Sequence, residues 1–193
     1  MDIGSLLTPD LLHQVHKGVM EDHLIKWVTT ILGKPIIDKQ YMTMPEKRIS
    51  LVSQLTGHKL KEMTKILLLA ISDTNPQVVW ATWVLLDFMY RSHLGSMVGD
   101  DVDAMEDLLQ TFHNHKEVFE ELGPVATNKG FHGTPKIHMI SHYMHLICEL
   151  GTPDKYNTET SERLHIDFAK LGYQVSNKVN MTKQMVLYIH VLT

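Results

Sequence analysis

The sequence has a single cysteine, Cys148, and therefore no means of closing an internal disulfide. Set in the apolar run HLICEL, that thiol reads as a small buried hydrophobe, not a reactive group. Long hydrophobic runs are also lacking. The longest near-apolar stretch, Val78 to Tyr90, is broken by Thr82 and Asp87 and falls short of the ~20 apolar residues a membrane span needs, so no membrane partner is expected. The opening MDIGSLLTPD has neither the basic nor the apolar region of a secretory signal, which points to a cytoplasmic or nuclear protein. A basic surplus is missing too. With 18 Lys and Arg against 22 Asp and Glu, the formal charge is -4, which argues against a free-standing nucleic-acid-binding surface. There is no Gly-rich phosphate loop, no G-x-S-x-G elbow and no HExxH pair.

What is present is helical periodicity over 193 residues, enough for one domain with a core. TPDLLHQVHKGVMEDHLIKWVTTILG predicts one long helix over 8–33, with Thr8 as N-cap, Pro9 in the first helical position and Gly33 as the stop. Pro35, Pro45 and Gly57 predict irregular structure next, with one short helix near Ser50. Further helices are expected from Lys59 to Ile71, from Pro76 to about His93, and along a stripe from Met105 through Phe112 and Phe119 to Leu122, ended by Gly123-Pro124. Pro135 to about Leu150, Thr158 to Leu171, and a segment capped by Asn180 complete the set. The helix after Pro76 is apolar almost all round, which suits the middle of a bundle, and Trp27, Trp80 and Trp83 read as core. The expected fold is mainly α, a bundle of about seven helices without a sheet.

Three groups of residues could carry chemistry. Asp10 and His13 are one helical turn apart, opposite Leu11, Leu12, Val15 and Val19, although a carboxylate at a helix start is also explained by the helix dipole. Glu159 and Glu162 are likewise one turn apart, opposite the stripe of Leu164, Phe168 and Leu171. Ile166 and Tyr173 fall on the side of Glu162, so this helix has apolar residues on two faces and is patterned to be sandwiched. The third group comes from the 13 histidines. His138, His142 and His145 have H-x3-H-x2-H spacing, and His13, His16 and His23 a similar scatter; either could bring ligands to a structural zinc, or be solvated and partly buried imidazoles.

The segments LLTPDLLHQVHKGVMEDHLIKW, HKEVFEELG, PKIHMISHYMHLI and GTPDKYNTETSERLHIDFAK together resemble the Plavaka family of fungal transposases, a branch of the CACTA-like DNA transposases. The resemblance runs from Leu6 to about Met185. It implies a DDE-type core, in which two aspartates on an RNase H-like sheet and one late glutamate hold two Mg²⁺ or Mn²⁺ ions for cleavage and transfer of transposon DNA in the nucleus. It also implies a D-x2-H signature, matched by Asp10 and His13, with His13 steadying a phosphate or the attacking water. A helical insertion follows, matched by 59–150, and then the glutamate helix over 156–173, with Glu162 as the catalytic and metal-binding carboxylate and Glu159 as the alternative. Compared with the family pattern the two aspartates are expected ahead of Met1, about ten residues are missing around MPEKRIS, and VLYIHVLT replaces a polar continuation. The expectation is a truncated transposase remnant, inactive alone, with no cofactor in the isolated chain and self-association through the face left open by the absent sheet. The alternative is a repurposed helical module for protein–protein interaction, with or without a stabilising zinc.

Overall fold

The computed structural model describes residues 10–41, 57–126 and 128–192. Among these residues the chain is helical and contains no strand, as its periodicity predicts. It forms two compact units, Met1–Tyr156 and Asn157–Thr193.

The first helix, α1, is wound in the wide π form over Leu11–Ile25 and continues directly as α-helix over Lys26–Leu32. Its buried side chains Leu11, Val15, Val19 and Leu24 recur at intervals of four, four and five residues, wider than the ~3.6 of a regular α-helix, so the winding follows the apolar pattern. The helix ends at Gly33 as predicted, but it starts later than the sequence suggests. Asp10, not Thr8, is the N-cap; Thr8 and Pro9 lie outside the described residues. A second difference follows at once, because α2 (Lys34–Tyr41) occupies ground read as irregular. Pro35 sits in its first turn, where the missing N–H costs nothing. The helix expected near Ser50 lies outside the described residues.

The helices α3 (Gly57–Ile71), α4 (Pro76–Ser92) and α5 (Gly99–His115) match their predicted positions. The pair α4 and α5 is antiparallel, with Arg91 reaching Asp101 at one end and Trp80 facing His115 at the other. Val78, Ala81, Leu85 and Phe88 of α4 and Met105, Leu109 and Phe112 of α5 enter the core. Burying the larger of these side chains, Ala81 apart, contributes about 1.5–3 kcal/mol each. The expectation that α4 is enclosed all round is corrected: Trp80, Trp83 and Tyr90 form an exposed stripe. Trp80 and Trp83 partly cover each other, with ring centroids 4.9 Å apart.

After α5 the predicted long helix breaks at Lys116 and Glu117, and α6 (Val118–Glu121) turns Val118 and Phe119 into the core. There Phe119 packs against Trp27, which is buried as predicted, and Phe131 meets the same indole edge-on. The helix expected over 135–150 is two, α7 (Pro135–Ile140) and α8 (Tyr143–Leu150), separated by Ser141 and His142. Gly18 lets α7 approach α1 closely; a Cβ there would lie 2.9 Å from side-chain carbons of Lys136. Cys148, expected inside, is exposed on α8, whose inward face is taken by Tyr143, Leu146 and Ile147.

The second unit is a helical hairpin. Its first helix, α9, runs without interruption through Glu159–Leu164, His165–Lys170 and Leu171–Val175, one turn longer than predicted, and α10 spans Met181–Leu192. The two pack where Gly172 admits Tyr188 and Met185, with a virtual Cβ only 3.2 Å from the Tyr188 ring. Among the described residues of the hairpin no large hydrophobic side chain is buried to the degree of the first unit's core, while Leu164, Ile166, Leu171, Tyr173 and Val175 are all exposed.

Candidate functional site

The start of α1 gathers the most chemistry. The Asp10 carboxylate accepts from the backbone N–H groups of Leu12 at 3.1 Å and His13 at 3.3 Å, donors that a helix start otherwise leaves unsatisfied. The same carboxylate accepts from His13 Nδ1 at 2.5 Å. Because an ionised carboxylate only accepts, Nδ1 carries the proton, and in neutral His13 the lone pair is on Nε2. Asp10 is mostly covered, its side chain 17% exposed, whereas His13 is 41% exposed. The carboxylate thus orients an imidazole towards solvent, an arrangement suited to a general base or to a ligand. The sequence pairing of these two residues is found in space.

Two residues that the sequence reading did not single out lie close by. Tyr143 of α8 is fully buried against Phe88, and among the described residues its hydroxyl has no hydrogen-bond partner. Burial pushes its ionisation well above the usual phenol range, with the negative charge of Asp10, and that of Tyr156 where it too ionises, acting in the same direction, so it stays a neutral O–H. His93, the C-cap of α4, brings its Nε2 within 2.6 Å of the Nε2 of buried His16, with the rings stacked. One of these nitrogens must carry a proton and the other accept it. No sequence spacing links His16 to His93, 77 positions away; only the packing of α4 against α1 does. His23 leans on Trp27, and burial lowers its basicity.

A second polar feature is an open groove between α6 and α7, lined by His113, Lys116, Glu120, Phe131, Thr134 and His138. Lys116 Nζ lies 3.1 Å from His113 Nδ1 and 5.0 Å above the Phe131 ring. Burial first, and the Lys116 charge second, hold His113 below the ordinary imidazole value.

The predicted histidine triplets are not assembled as zinc sites. His138 and His142 meet, but His145 pairs with Glu149 at 3.4 Å. His13, His16 and His23 each turn to a different neighbour: Asp10, His93 and Trp27. In the second unit, Glu162 sits on the first turns of α9, partly covered, with its backbone N–H bonded to Thr158, and Glu159 opens the same helix. Among the described residues no three His, Cys, Asp or Glu gather as ligands of one ion. A two-metal centre needs several carboxylate oxygens around a pair of hard cations, and this donor set does not fit one.

The model of the Plavaka transposase family matches residues 1–28, a small part of the chain that includes Asp10 and His13 but not Glu162. No curated protein and no solved structure matches the chain.

Proposed function

We propose that this chain derives from a cut-and-paste DNA transposase of the Plavaka type and does not cleave DNA by itself. The observation that carries the reading is the family match over residues 1–28, whose described part contains the hydrogen-bonded Asp10 and His13. In this reading the ancestral partner is transposon DNA in the nucleus, and Glu162, or Glu159 one turn earlier, is the late carboxylate of a DDE set. The Mg²⁺ or Mn²⁺ ions of such a set would be held only together with two aspartates from an RNase H-like sheet.

The exposed apolar side chains of the hairpin favour a second reading, a helical interaction module. The transposase-remnant reading includes self-association through the Ile166 and Tyr173 face, which pairs apolar surface with apolar surface, whereas the second reading covers exposed helix faces with a partner protein.

Incubation of supercoiled plasmid with the isolated chain in Mn²⁺ tests the claim of inactivity. The plasmid is expected to stay supercoiled. Nicking by the wild-type chain that disappears in Glu162→Gln would overturn it.

A further inference from the structure

Across the junction of α7 and α8, His138 and His142 stand one turn apart on the exposed side of the first unit. Their Nε2 atoms are 3.4 Å apart, the ring centroids 5.0 Å apart, and the ring planes cross at 86°. A well-formed hydrogen bond between two ring nitrogens is expected nearer ~2.9–3.0 Å, and stacking would make the rings parallel. The pair makes a long hydrogen-bond contact with its rings edge to face. Its separation also matches the bite of two donors on one ion: with metal–nitrogen bonds of about 2.0–2.1 Å in tetrahedral geometry, two imidazole nitrogens lie ~3.3–3.4 Å apart.

We propose that His138 and His142 form a surface chelate for a divalent transition metal of the imidazole-binding kind, with zinc as the expected physiological ion. Both bind through Nε2, and the remaining coordination positions are filled by water. Two protein donors make a weaker site than the three or four of structural zinc sites. His145 stays outside the ligand set because it is directed to Glu149.

The position gives the ion a structural effect. α7 has six residues and α8 eight, both shorter than a helix that is stable on its own. The link between them is held by short backbone turns, Ser141 N–H to His138 O at 3.1 Å and His142 N–H to Met139 O at 3.2 Å. An ion bridging His138 to His142 spans this link from outside. Inside it, Ile137, Ile140, Tyr143 and Ile147 pack into the core, so metal uptake stabilises the first unit by mass action.

Titration of the full, tag-free chain with zinc chloride, followed by thermal melting and by calorimetry, tests the proposal. Zinc is expected to raise the melting temperature of the wild type and of His145→Asn, and to leave His138→Asn and His142→Asn unmoved. Loss of either ligand should weaken uptake by more than the ~10–100-fold that follows loss of a hydrogen-bond partner outside a ligand set. Copper provides a readout independent of stability, since the spectrum of one bound Cu²⁺ should carry the splitting of two equivalent nitrogens. Equal zinc shifts in wild type and His142→Asn, or a copper spectrum unchanged in that variant, would overturn the site.

Discussion

Asp10 Oδ2 lies 2.5 Å from His13 Nδ1 within the first turn of the helix that Asp10 caps. One carboxylate therefore fixes both a helix start and the orientation of an imidazole. These two roles separate in mutants. Asp10→Ala should cost about 0.5–2 kcal/mol through the lost cap, whereas Asp10→Asn keeps a capping oxygen and should cost less. Urea denaturation of both variants measures the difference. His13→Ala removes a partly exposed hydrogen-bonded pair and should fall within about 1 kcal/mol of wild type.

Tyr143 makes the opposite case, since its hydroxyl is buried without a partner among the described residues. Tyr143→Phe removes an unsatisfied polar group while keeping the ring, so stability should be unchanged or higher by up to about 1 kcal/mol. Tyr143→Ala empties the space beside Phe88 and should cost about 3–5 kcal/mol. A large loss in the phenylalanine variant would mean that the hydroxyl is bonded after all.

Acidification should destabilise the first unit. His23 and His113 both lie below their ordinary value of 6.5, chiefly because burial disfavours their charged forms. The unfolded chain then binds more protons than the folded one between the depressed values and 6.5, so stability rises with pH through that window and falls on the way down. Glu21, raised by burial and then by Asp22, acts in the opposite sense at lower pH. Melting temperatures between pH 7.5 and 5.5 should decline, and the decline should be smaller in His23→Phe.

The hairpin should mediate association. Leu164, Leu171 and Val175 are exposed along one side of α9, and Ile166 and Tyr173 along another. Sedimentation at increasing concentration should reveal oligomers, and Ile166→Lys combined with Tyr173→Lys should shift the chain towards monomer without reducing its helix content. A wild-type chain that remains monomeric at every concentration contradicts this expectation.

Local signals made much of this fold legible. Pro76 after Asn75, the stop at Gly33 and the stripe through Met105, Leu109 and Phe112 each place a helix boundary or a buried face within reach of sequence alone. Faces of uniformly apolar helices were not legible. Trp80 and Trp83 look like core in α4, yet only the placement of α5 decides which side of the helix is covered. Cys148 illustrates the same limit, because Tyr143, Leu146 and Ile147 already fill the inward side of α8. At the site, Asp10 and His13 could be paired from their spacing, being neighbours on one turn. His16 with His93, and Tyr143 beside Asp10, arise from long-range packing and leave no local trace.

The most direct test of the account is the nucleotide sequence on either side of the coding region. Transposase descent predicts, ahead of Met1, recognisable coding sequence for strand-forming segments with two aspartates, in frame or broken, and inverted repeats flanking the whole. In-frame continuity would further make Glu162→Gln abolish metal-dependent DNA cleavage by the longer product. Unrelated sequence on both sides, with no repeats and no aspartate-bearing segments, would contradict the descent and leave the chain to be understood as a helical interaction protein.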